Sequence, residues 1–303
     1  MRTIIRTLYA AILIILLCIS TVFWFMPLLL IIILKFIPST TWQKKMAQSA
    51  ESVADIWVAT NSWFLFYTLP TQWNIEGLDD LSLKKSYLAI SNHQTWVDVT
   101  VLQKIFLWKA PFIRFFIKDS LKWIPFWGQA WKLLGYPFMK RYSKSYLLKN
   151  PHMRGKDLEA TRKACSKLKG RPTTILNFLG GTRFSIEKSR QKKSAYKHLM
   201  PPRAGGMAYA LTCLQDQLDQ ILDVTIVYPY GVHSLWGFLC GKLHTIHVNI
   251  RKIDITPDIL GDYFNDPQYQ QYFKDWVNAR WHEKDKLITN ILSNYPPLTE
   301  TGQ

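Results

Sequence analysis

A histidine and an aspartate lie five residues apart at the end of a short apolar run, in the stretch SYLAISNHQTWVD, residues 86 to 98. Residues five apart on one helix point about 140° away from each other. His93 and Asp98 can therefore meet only if the histidine precedes a helix and the aspartate lies in its first turns. Asp98 would then accept the hydrogen of one ring nitrogen, which leaves the other nitrogen free to accept a proton. The pair is a candidate general base with its orienting carboxylate; the alternative is an ordinary polar turn.

The neighbouring residues permit this geometry. The run YLAIS, residues 87 to 91, predicts a strand, Asn92 suits the turn that follows it, and the run from Trp96 onward predicts a helix. No activated Ser or Cys nucleophile stands out, so the chemistry that suits the pair is direct attack by a substrate hydroxyl. The spacing alone is not specific, because such pairs also occur by chance.

A second block, GYPFMKRYSK at residues 135 to 144, follows a tryptophan-rich segment that ends at Gly135. It contains two adjacent cations, Lys140 and Arg141. The planar guanidinium group suits phosphate oxygens, so the block predicts an anion site. The alternative is a pair of solvated surface cations.

A third block, NFLGGTRFS at residues 177 to 185, runs from a predicted strand into Gly180 and Gly181, which Thr182 and Arg183 follow. Glycines let a backbone approach a ligand closely, and the arginine can bind an anion. The block predicts a substrate loop, although an ordinary turn at the end of a strand has the same composition.

A fourth block, VTIVYP, predicts a buried strand that ends at Pro229. Taken in chain order, the four blocks resemble the motifs of the glycerolphosphate and lysophospholipid acyltransferase family, the PlsC-like group. The resemblance covers about residues 73 to 260, and flanking segments such as LMPPRAGGMAYAL resemble its bacterial YihG-type branch. The positions that match the family motifs are Asn92, His93, Asp98, Gly135, Phe138, Met139, Arg141, Phe178, Gly181, Thr182, Arg183 and Pro229.

The resemblance implies a membrane enzyme that acylates 1-acyl-glycerol-3-phosphate at its second hydroxyl, with acyl-CoA or acyl carrier protein as donor. His93 is then the base and Asp98 orients it, and neither a metal nor a resident cofactor is expected. The residues expected to bind the substrate phosphate are Arg141, Arg183, Lys140 and Arg203. The residues expected to shape the substrate loops are Asn92, Gly135, Gly180, Gly181, Thr182 and Pro229.

Two positions depart from the third motif of the family: Leu179 replaces its proline, which is a mild change, and Gly180 stands where the motif carries a glutamate. The loss of the glutamate removes a charge and loosens the backbone. We therefore expect weakened turnover, an altered acceptor preference, or a variant made to impair turnover. Two alternatives stay open: an acyltransferase for another lysophospholipid, such as lysophosphatidylglycerol or lysophosphatidylinositol, and a membrane-anchored scaffold without catalysis.

The elements that must position these residues alternate between strands and helices. This alternation predicts an α/β fold over residues 71 to 303, with a mainly parallel mixed sheet covered by helices. The family resemblance implies that this fold is like that of glycerol-3-phosphate acyltransferases. Asp266 and Pro267 suit the start of a last helix, about 266 to 293. The predicted strands are 87–91, 173–179, 224–229 and 243–250, and further helical patterns occupy 155–170 and 204–222.

Residues 1 to 70 predict a membrane anchor. The run from 8 to 34 carries no charge and would form a helix about 40 Å long, against a hydrocarbon core of about 30 Å. Either a tilted or kinked span or a re-entrant hairpin turning near Pro27 fits, since positive charges flank both ends. Residues 40 to 69 predict an amphipathic helix at the membrane surface, or an ordinary core helix. The expected location is the bacterial inner membrane, with the catalytic domain in the cytoplasm.

The formal charge of +17 favours anionic partners. Ten Lys or Arg lie in residues 140 to 169 and seven in 183 to 203, which suits an anionic membrane surface, coenzyme phosphates or an acidic carrier protein. A nucleic-acid partner is not expected, since no recognised nucleic-acid motif appears. The four cysteines lack metal-ligand spacing and predict reduced thiols.

Overall fold

The computed structural model describes residues 2–125, 127–139, 168 and 170–296. Within these residues the helices are α1 (Arg2–Leu34), α2 (Thr40–Phe66), α3 (Val97–Phe106), α4 (Trp127–Leu133), α5 (Ile186–Gln191), α6 (Ala204–Leu214), α7 (Leu235–Leu239) and α8 (Pro267–Ser293). The strands are β1 (Gln72–Glu76), β2 (Tyr87–Ser91), β3 (Ile113–Phe115), β4 (Ile117–Lys118), β5 (Phe138–Met139), β6 (Thr174–Phe178), β7 (Gln220–Val227) and β8 (Thr245–Asp254).

Six strands form one sheet in the order β1-β8-β7-β2-β6-β3. Neighbouring strands are parallel except β7 and β8, which confirms the predicted mainly parallel mixed sheet. The central strand β2 is buried along its whole length because helices cover both faces of the sheet. Leu88 and Ile90 belong to the core on the side of α6 and α8, while Tyr87 and Ala89 belong to the core on the side of α3. This alternation is the two-residue period of a strand.

Helix α8 begins as the sequence indicates. The Asp266 side chain accepts hydrogen bonds from the backbone N–H groups of Gln268 and Tyr269, with Pro267 in the first turn. On the sheet side, Lys284 is fully buried and lies 2.5 Å from the buried Asp223 of β7. Burial lowers the pKa of Lys284, and the charge of Asp223 partly opposes that shift. The ion pair fixes α8 on the sheet.

The first two helices form an antiparallel hairpin. Trp24 of α1 donates its indole N–H to Thr60 of α2, and Trp57 of α2 donates to Thr21 of α1. Helix α1 runs without interruption through Pro27, so the alternative of a turn near Pro27 is wrong. The chain instead reverses between Leu34 and Thr40, after the apolar run has ended.

Helix α1 packs against the catalytic domain along both of its halves. Leu13 shares one core cluster with Phe238 of α7, and Leu28 shares another with Leu133 of α4. Among the described residues, α1 is the one helix long and apolar enough to cross a membrane, by length and composition alone. Large apolar side chains are exposed on its other face: Ile4, Ile5, Leu8, Ile12, Ile15, Ile19 and Phe23.

Several predicted boundaries move: β7 begins at Gln220 rather than at 224, and β8 spans Thr245–Asp254 rather than 243–250. The helix predicted at 204–222 ends at Leu214. Ile221 and Leu222 belong instead to β7, where side chains alternate between the two faces of the sheet. Strand β7 ends at Val227, two residues before Pro229, and α2 ends at Phe66 rather than near 69. Most of the helical pattern at 155–170 lies outside the described residues.

Candidate active site

The structure brings His93 and Asp98 together at the carboxyl end of β2. His93 lies in the turn after the strand, Asp98 lies in the first turn of α3, and His93 Nδ1 is 2.7 Å from Asp98 Oδ2. A carboxylate can only accept, so Nδ1 carries the hydrogen and Nε2 is the ring nitrogen left to accept a proton. The His93 side chain is 14% exposed and Asp98 is fully buried. The arrangement suits a base that a carboxylate orients.

Four donors surround the buried carboxylate. Oδ2 accepts from His93 and from the backbone N–H groups of Gln94 and Thr95, at 2.5 and 3.0 Å. Oδ1 accepts from the Tyr228 hydroxyl at 2.5 Å. A buried charge is tolerated when its hydrogen-bonding capacity is filled. These contacts fill the hydrogen-bonding capacity of the Asp98 carboxylate and fix its orientation toward the imidazole.

Asn92 ties this corner to strand β7. Its side-chain amide donates to the Ile226 carbonyl at 2.8 Å and accepts from the Ile226 N–H at 2.9 Å. Gln94 donates to the same carbonyl at 3.0 Å. The Asn92 side chain thus makes with Ile226 the pair of hydrogen bonds that the backbone of a neighbouring strand would make. These bonds fix the turn that contains His93.

The third block closes over the imidazole. Phe178, the last residue of β6, stacks on the His93 ring with centroids 4.0 Å apart. The Phe184 N–H donates to the His93 carbonyl at 2.8 Å. The loop of residues 179 to 185 is therefore held beside the base.

Two predicted arginines lie at this loop, and both are exposed. The Arg183 guanidinium lies over the Trp96 ring, 5.1 Å from its centroid. Gly181 has φ +65°, and a Cβ there would come within 3.3 Å of the Arg203 guanidinium carbon. Among the described residues, neither guanidinium has a carboxylate partner within 4 Å. Both can therefore accept an anionic ligand.

An apolar cavity of about 470 Å³ begins at the base. His93, Trp96 and Phe178 form part of its wall, and α1, α2, α3, β3 and α4 supply most of the rest. One stretch of wall is a row of rings that starts at His93 and Phe178. Phe115 follows at 6.3 Å from Phe178, and Tyr136 at 6.4 Å from Phe115. The cavity has the mainly apolar wall that suits a hydrocarbon chain.

The remaining predicted site residues are two cations, one glycine near the hairpin and three loop residues. Lys140 and Arg141 lie outside the described residues. Gly135 has φ +75° and lies against the buried Arg114. Arg114 in turn pairs with Glu51 of α2. Gly135 therefore helps to shape the place where the α1–α2 hairpin attaches to the rest of the chain.

The three other predicted loop residues also lie in the described part of the chain. Gly180 is buried beside Met200, Thr182 lies between Gly181 and Arg183, and Pro229 follows Tyr228 after the end of β7. Within the described part of the chain no group of three or more His, Cys, Asp or Glu side chains could hold a metal ion. The absence of a metal and of a cofactor from the reaction stays a prediction.

Sequence reasoning missed Tyr228 and Trp96. Tyr228 follows an apolar run and precedes Pro229, and an aromatic residue in such a position is typically interpreted as part of the buried core. Trp96 lies two residues before Asp98, and its 60% exposure could not be foreseen from a helix-start pattern. The one signal in the sequence was the presence of a tryptophan three residues after the candidate base.

Comparison with known proteins places these features in a family. A family model described as Acyltransferase matches residues 72–229, from β1 to Pro229, and includes all four blocks. The chain belongs to the acyltransferase family. The family predicted from the motifs is thereby confirmed, while the YihG-type branch stays a prediction.

Individual relatives are more distant. Mouse 1-acyl-sn-glycerol-3-phosphate acyltransferase epsilon is 25% identical over 236 residues, 71% of this chain and 60% of the mouse protein. The 2-acyl-1-lysophosphatidylinositol acyltransferase of Saccharomyces cerevisiae is 24% identical, over 70% of this chain and 62% of its own length. Lysocardiolipin acyltransferase 1 of Gallus gallus is 26% identical, over 71% and 56%. The chain thus spans about three-fifths of these relatives.

A solved structure is also similar. The crystal structure of the 1-acyl-sn-glycerophosphate acyltransferase PlsC from Thermotoga maritima matches with a TM-score of 0.48 and 16% identity. The match covers 93% of this chain and 97% of that one.

Proposed function

We propose that this protein transfers a fatty acyl group from an acyl thioester, acyl-CoA or acyl carrier protein, to the free hydroxyl of 1-acyl-glycerol-3-phosphate. One observation carries the proposal: the imidazole of a buried His–Asp pair forms part of the wall of an apolar cavity. A base beside a hydrocarbon site suits acyl transfer to an alcohol. Membership of the acyltransferase family supports the same reaction class.

The steps follow from the positions of the groups. His93 Nε2 takes the proton of the substrate hydroxyl while the alcohol oxygen attacks the thioester carbon. The negative charge passes to the carbonyl oxygen of a tetrahedral intermediate, and Asp98 stabilises the imidazolium. When the carbonyl reforms, the carbon–sulfur bond breaks and the thiolate takes the proton from His93. The ester and a free thiol leave, and the base is regenerated without a metal or a resident cofactor.

The acyl chain is assigned to the cavity. Its walls include Ala54 of α2, Trp24 and Phe25 of α1, and Phe115 of β3. Burial of a hydrocarbon chain there contributes about 0.8 kcal/mol for each methylene group removed from water. Because α1 and α2 also form the apolar hairpin, the chain can enter from a lipid layer.

The substrate phosphate is assigned to Arg183 and Arg203. Their guanidinium groups lie at the loop that closes over His93, and they need an anionic partner. The adjacent basic helix α5 suits the phosphates of coenzyme A or an acidic carrier protein. Lys140 and Arg141 are proposed to complete the anion site.

We assign the protein to the inner membrane of a bacterium, with the catalytic domain in the cytoplasm. The exposed apolar face of α1 supports membrane association. The packing of both halves of α1 on the domain favours a hairpin that lies in one leaflet over a span.

A second acceptor deserves a test. Relatives of similar identity are named for lysophosphatidylinositol and lysocardiolipin. The third alternative, a scaffold that has lost catalysis at Gly180, predicts no release of thiol from an acyl thioester.

The test is a donor-by-acceptor assay of the purified full-length protein in detergent micelles. Acyl-CoA and acyl carrier protein are each paired with four lysophospholipids, and free thiol and new diacyl lipid are both measured. We expect His93→Ala to lower turnover by about a hundredfold to ten-thousandfold, the usual contribution of general-base catalysis. His198→Ala is the control, since His198 lies on the α8 side of the sheet beside Thr289. Normal turnover of His93→Ala would refute the base assignment, and absence of thiol release from wild type would favour the scaffold.

A further inference from the structure

The carboxylate of Asp98 is held from two different elements. Three of its four donors come from the turn that contains His93, and all three bind Oδ2. The fourth is the Tyr228 hydroxyl, which binds Oδ1 from the end of β7. Within the described residues no other donor reaches Oδ1. The carboxylate is therefore held at both oxygens, and Tyr228 is the one described residue that holds Oδ1.

The environment of Tyr228 makes this contact permanent. The side chain is 3% exposed. Burial, and then the charge of Asp98, raise the pKa of Tyr228 well above its usual value of 10. The hydroxyl thus stays protonated wherever an enzyme of this kind works. Tyr228 can donate to the carboxylate but cannot compete with His93 as a base.

The end of β7 is itself fixed. Ile226, two residues before Tyr228, exchanges two hydrogen bonds with the Asn92 side chain. Thr95, in the turn, donates to the His233 carbonyl beyond β7 at 2.7 Å. The tyrosine therefore donates from a position that is rigid relative to the imidazole.

We propose that Tyr228 is a positioning residue of the active site, which orients Asp98 toward His93 and moderates the charge that the carboxylate presents to the imidazole. Its hydrogen bond draws electron density toward Oδ1. The interaction of Oδ2 with the imidazolium is correspondingly weaker than that of a free carboxylate. The inference rests on the proposed acyl transfer for its effect on rate, but its effect on the histidine does not require turnover.

Removal of the hydroxyl gives a measurable shift. In Tyr228→Phe the ring is kept, Oδ1 loses its donor, and the carboxylate attracts the imidazolium more strongly. The pH midpoint of His93 protonation should rise by about half to one unit. The acidic limb of kcat/KM should move by the same amount. The kcat at the optimum should fall about tenfold, while KM for both substrates changes by less than about twofold.

The experiment is an NMR titration of the histidine ring protons in the full-length protein, with the His93 signal assigned by its loss in His93→Ala. A fluorinated tyrosine at position 228 keeps the shape of the side chain and is a stronger donor, so it should shift the midpoint to lower pH. Tyr87→Phe is the matched control. Tyr87 is also fully buried, and its hydroxyl accepts from Ser82 N–H rather than touching the site.

Opposite shifts in the two Tyr228 variants, with none in Tyr87→Phe, support the proposal. A midpoint unchanged in both Tyr228 variants overturns it, as does an equal shift in Tyr87→Phe, which would indicate general loosening of the core. Failure of the proposed function looks different. It appears as absence of acyl transfer by wild type, whereas failure of this inference leaves wild type active, His93→Ala inactive and the titration unmoved.

Discussion

At the scale of single residues, Gly180 stands in the loop of residues 179 to 185 where the motif resemblance led us to expect a glutamate. Gly180 is buried, and a Cβ there would lie 3.1 Å from Met200 Cβ and 3.5 Å from the Thr182 carbonyl. A side chain therefore fits if Met200 moves by a few tenths of an ångström. Its carboxylate would enter the loop that also carries Arg183.

We expect Gly180→Glu to raise kcat/KM for 1-acyl-glycerol-3-phosphate by up to about tenfold, the effect of one charge-assisted hydrogen bond. The glutamate restores the charge of the family motif and restricts the backbone. Steady-state acyl transfer by the purified variant measures this.

Gly180→Gln separates the two causes, because glutamine has the same size without the charge. A rise in both variants indicates that stiffness of the loop is responsible. Equal or lower turnover in Gly180→Glu shows instead that the glycine is a native adaptation of this protein.

At the scale of elements, the cavity depends on small residues where helices meet. Ala54 of α2 is buried and lines the cavity, whereas Ala47, two turns earlier, is buried away from its lining. A larger side chain at position 54 takes volume from the acyl chain.

We expect Ala54→Leu to lower turnover of the longest acyl donors by about tenfold while leaving short donors nearly unchanged. A chain-length series of acyl-CoA donors measures this. Ala47→Leu adds the same bulk to the same helix and should keep the wild-type preference. A uniform loss at all chain lengths in Ala54→Leu would place the acyl chain elsewhere.

The sequence predicts some elements and their contacts better than others. The strand, turn and helix around His93 follow from local patterns, since an apolar run, Asn92 and a helix start are all visible in thirteen residues. Tyr228 could not be predicted, because its partner Asp98 is 130 residues away and the contact depends on β7 lying next to β2. The cavity could not be predicted either, because its walls come from segments that are distant in the sequence and meet only in the folded protein.

At the scale of the whole molecule, the hairpin and the catalytic domain share their core. Leu13 and Leu28 are buried in separate clusters at the two halves of α1, while the outer face of the helix is apolar and exposed. A helix that spans a bilayer leaves the domain at one end. From the contact at both halves we propose instead that α1 lies along a membrane surface.

We expect residues 3 and 36 to lie on the same side of the membrane as the catalytic domain. Thr3→Cys and Phe36→Cys, in a background with all four native cysteines changed to serine, are reconstituted into sealed vesicles and treated with an impermeant maleimide. Both should react to the extent of Lys84→Cys, an exposed position of the domain. Reaction at position 3 only after the vesicles are opened would show that α1 crosses the bilayer.

The shared core has a practical consequence for anyone who wishes to crystallise this protein. Ala10 and Leu13 of α1 belong to the same cluster as Val101 of α3, the helix that carries Asp98. A fragment that begins at β1 would lack the part of the cavity wall that α1 and α2 form. It would also expose the side of α3 that packs on α1. Helices α1 and α2 form part of the cavity wall, so the intact chain has to be kept through every preparation, with a detergent or nanodisc to cover the exposed apolar face of α1.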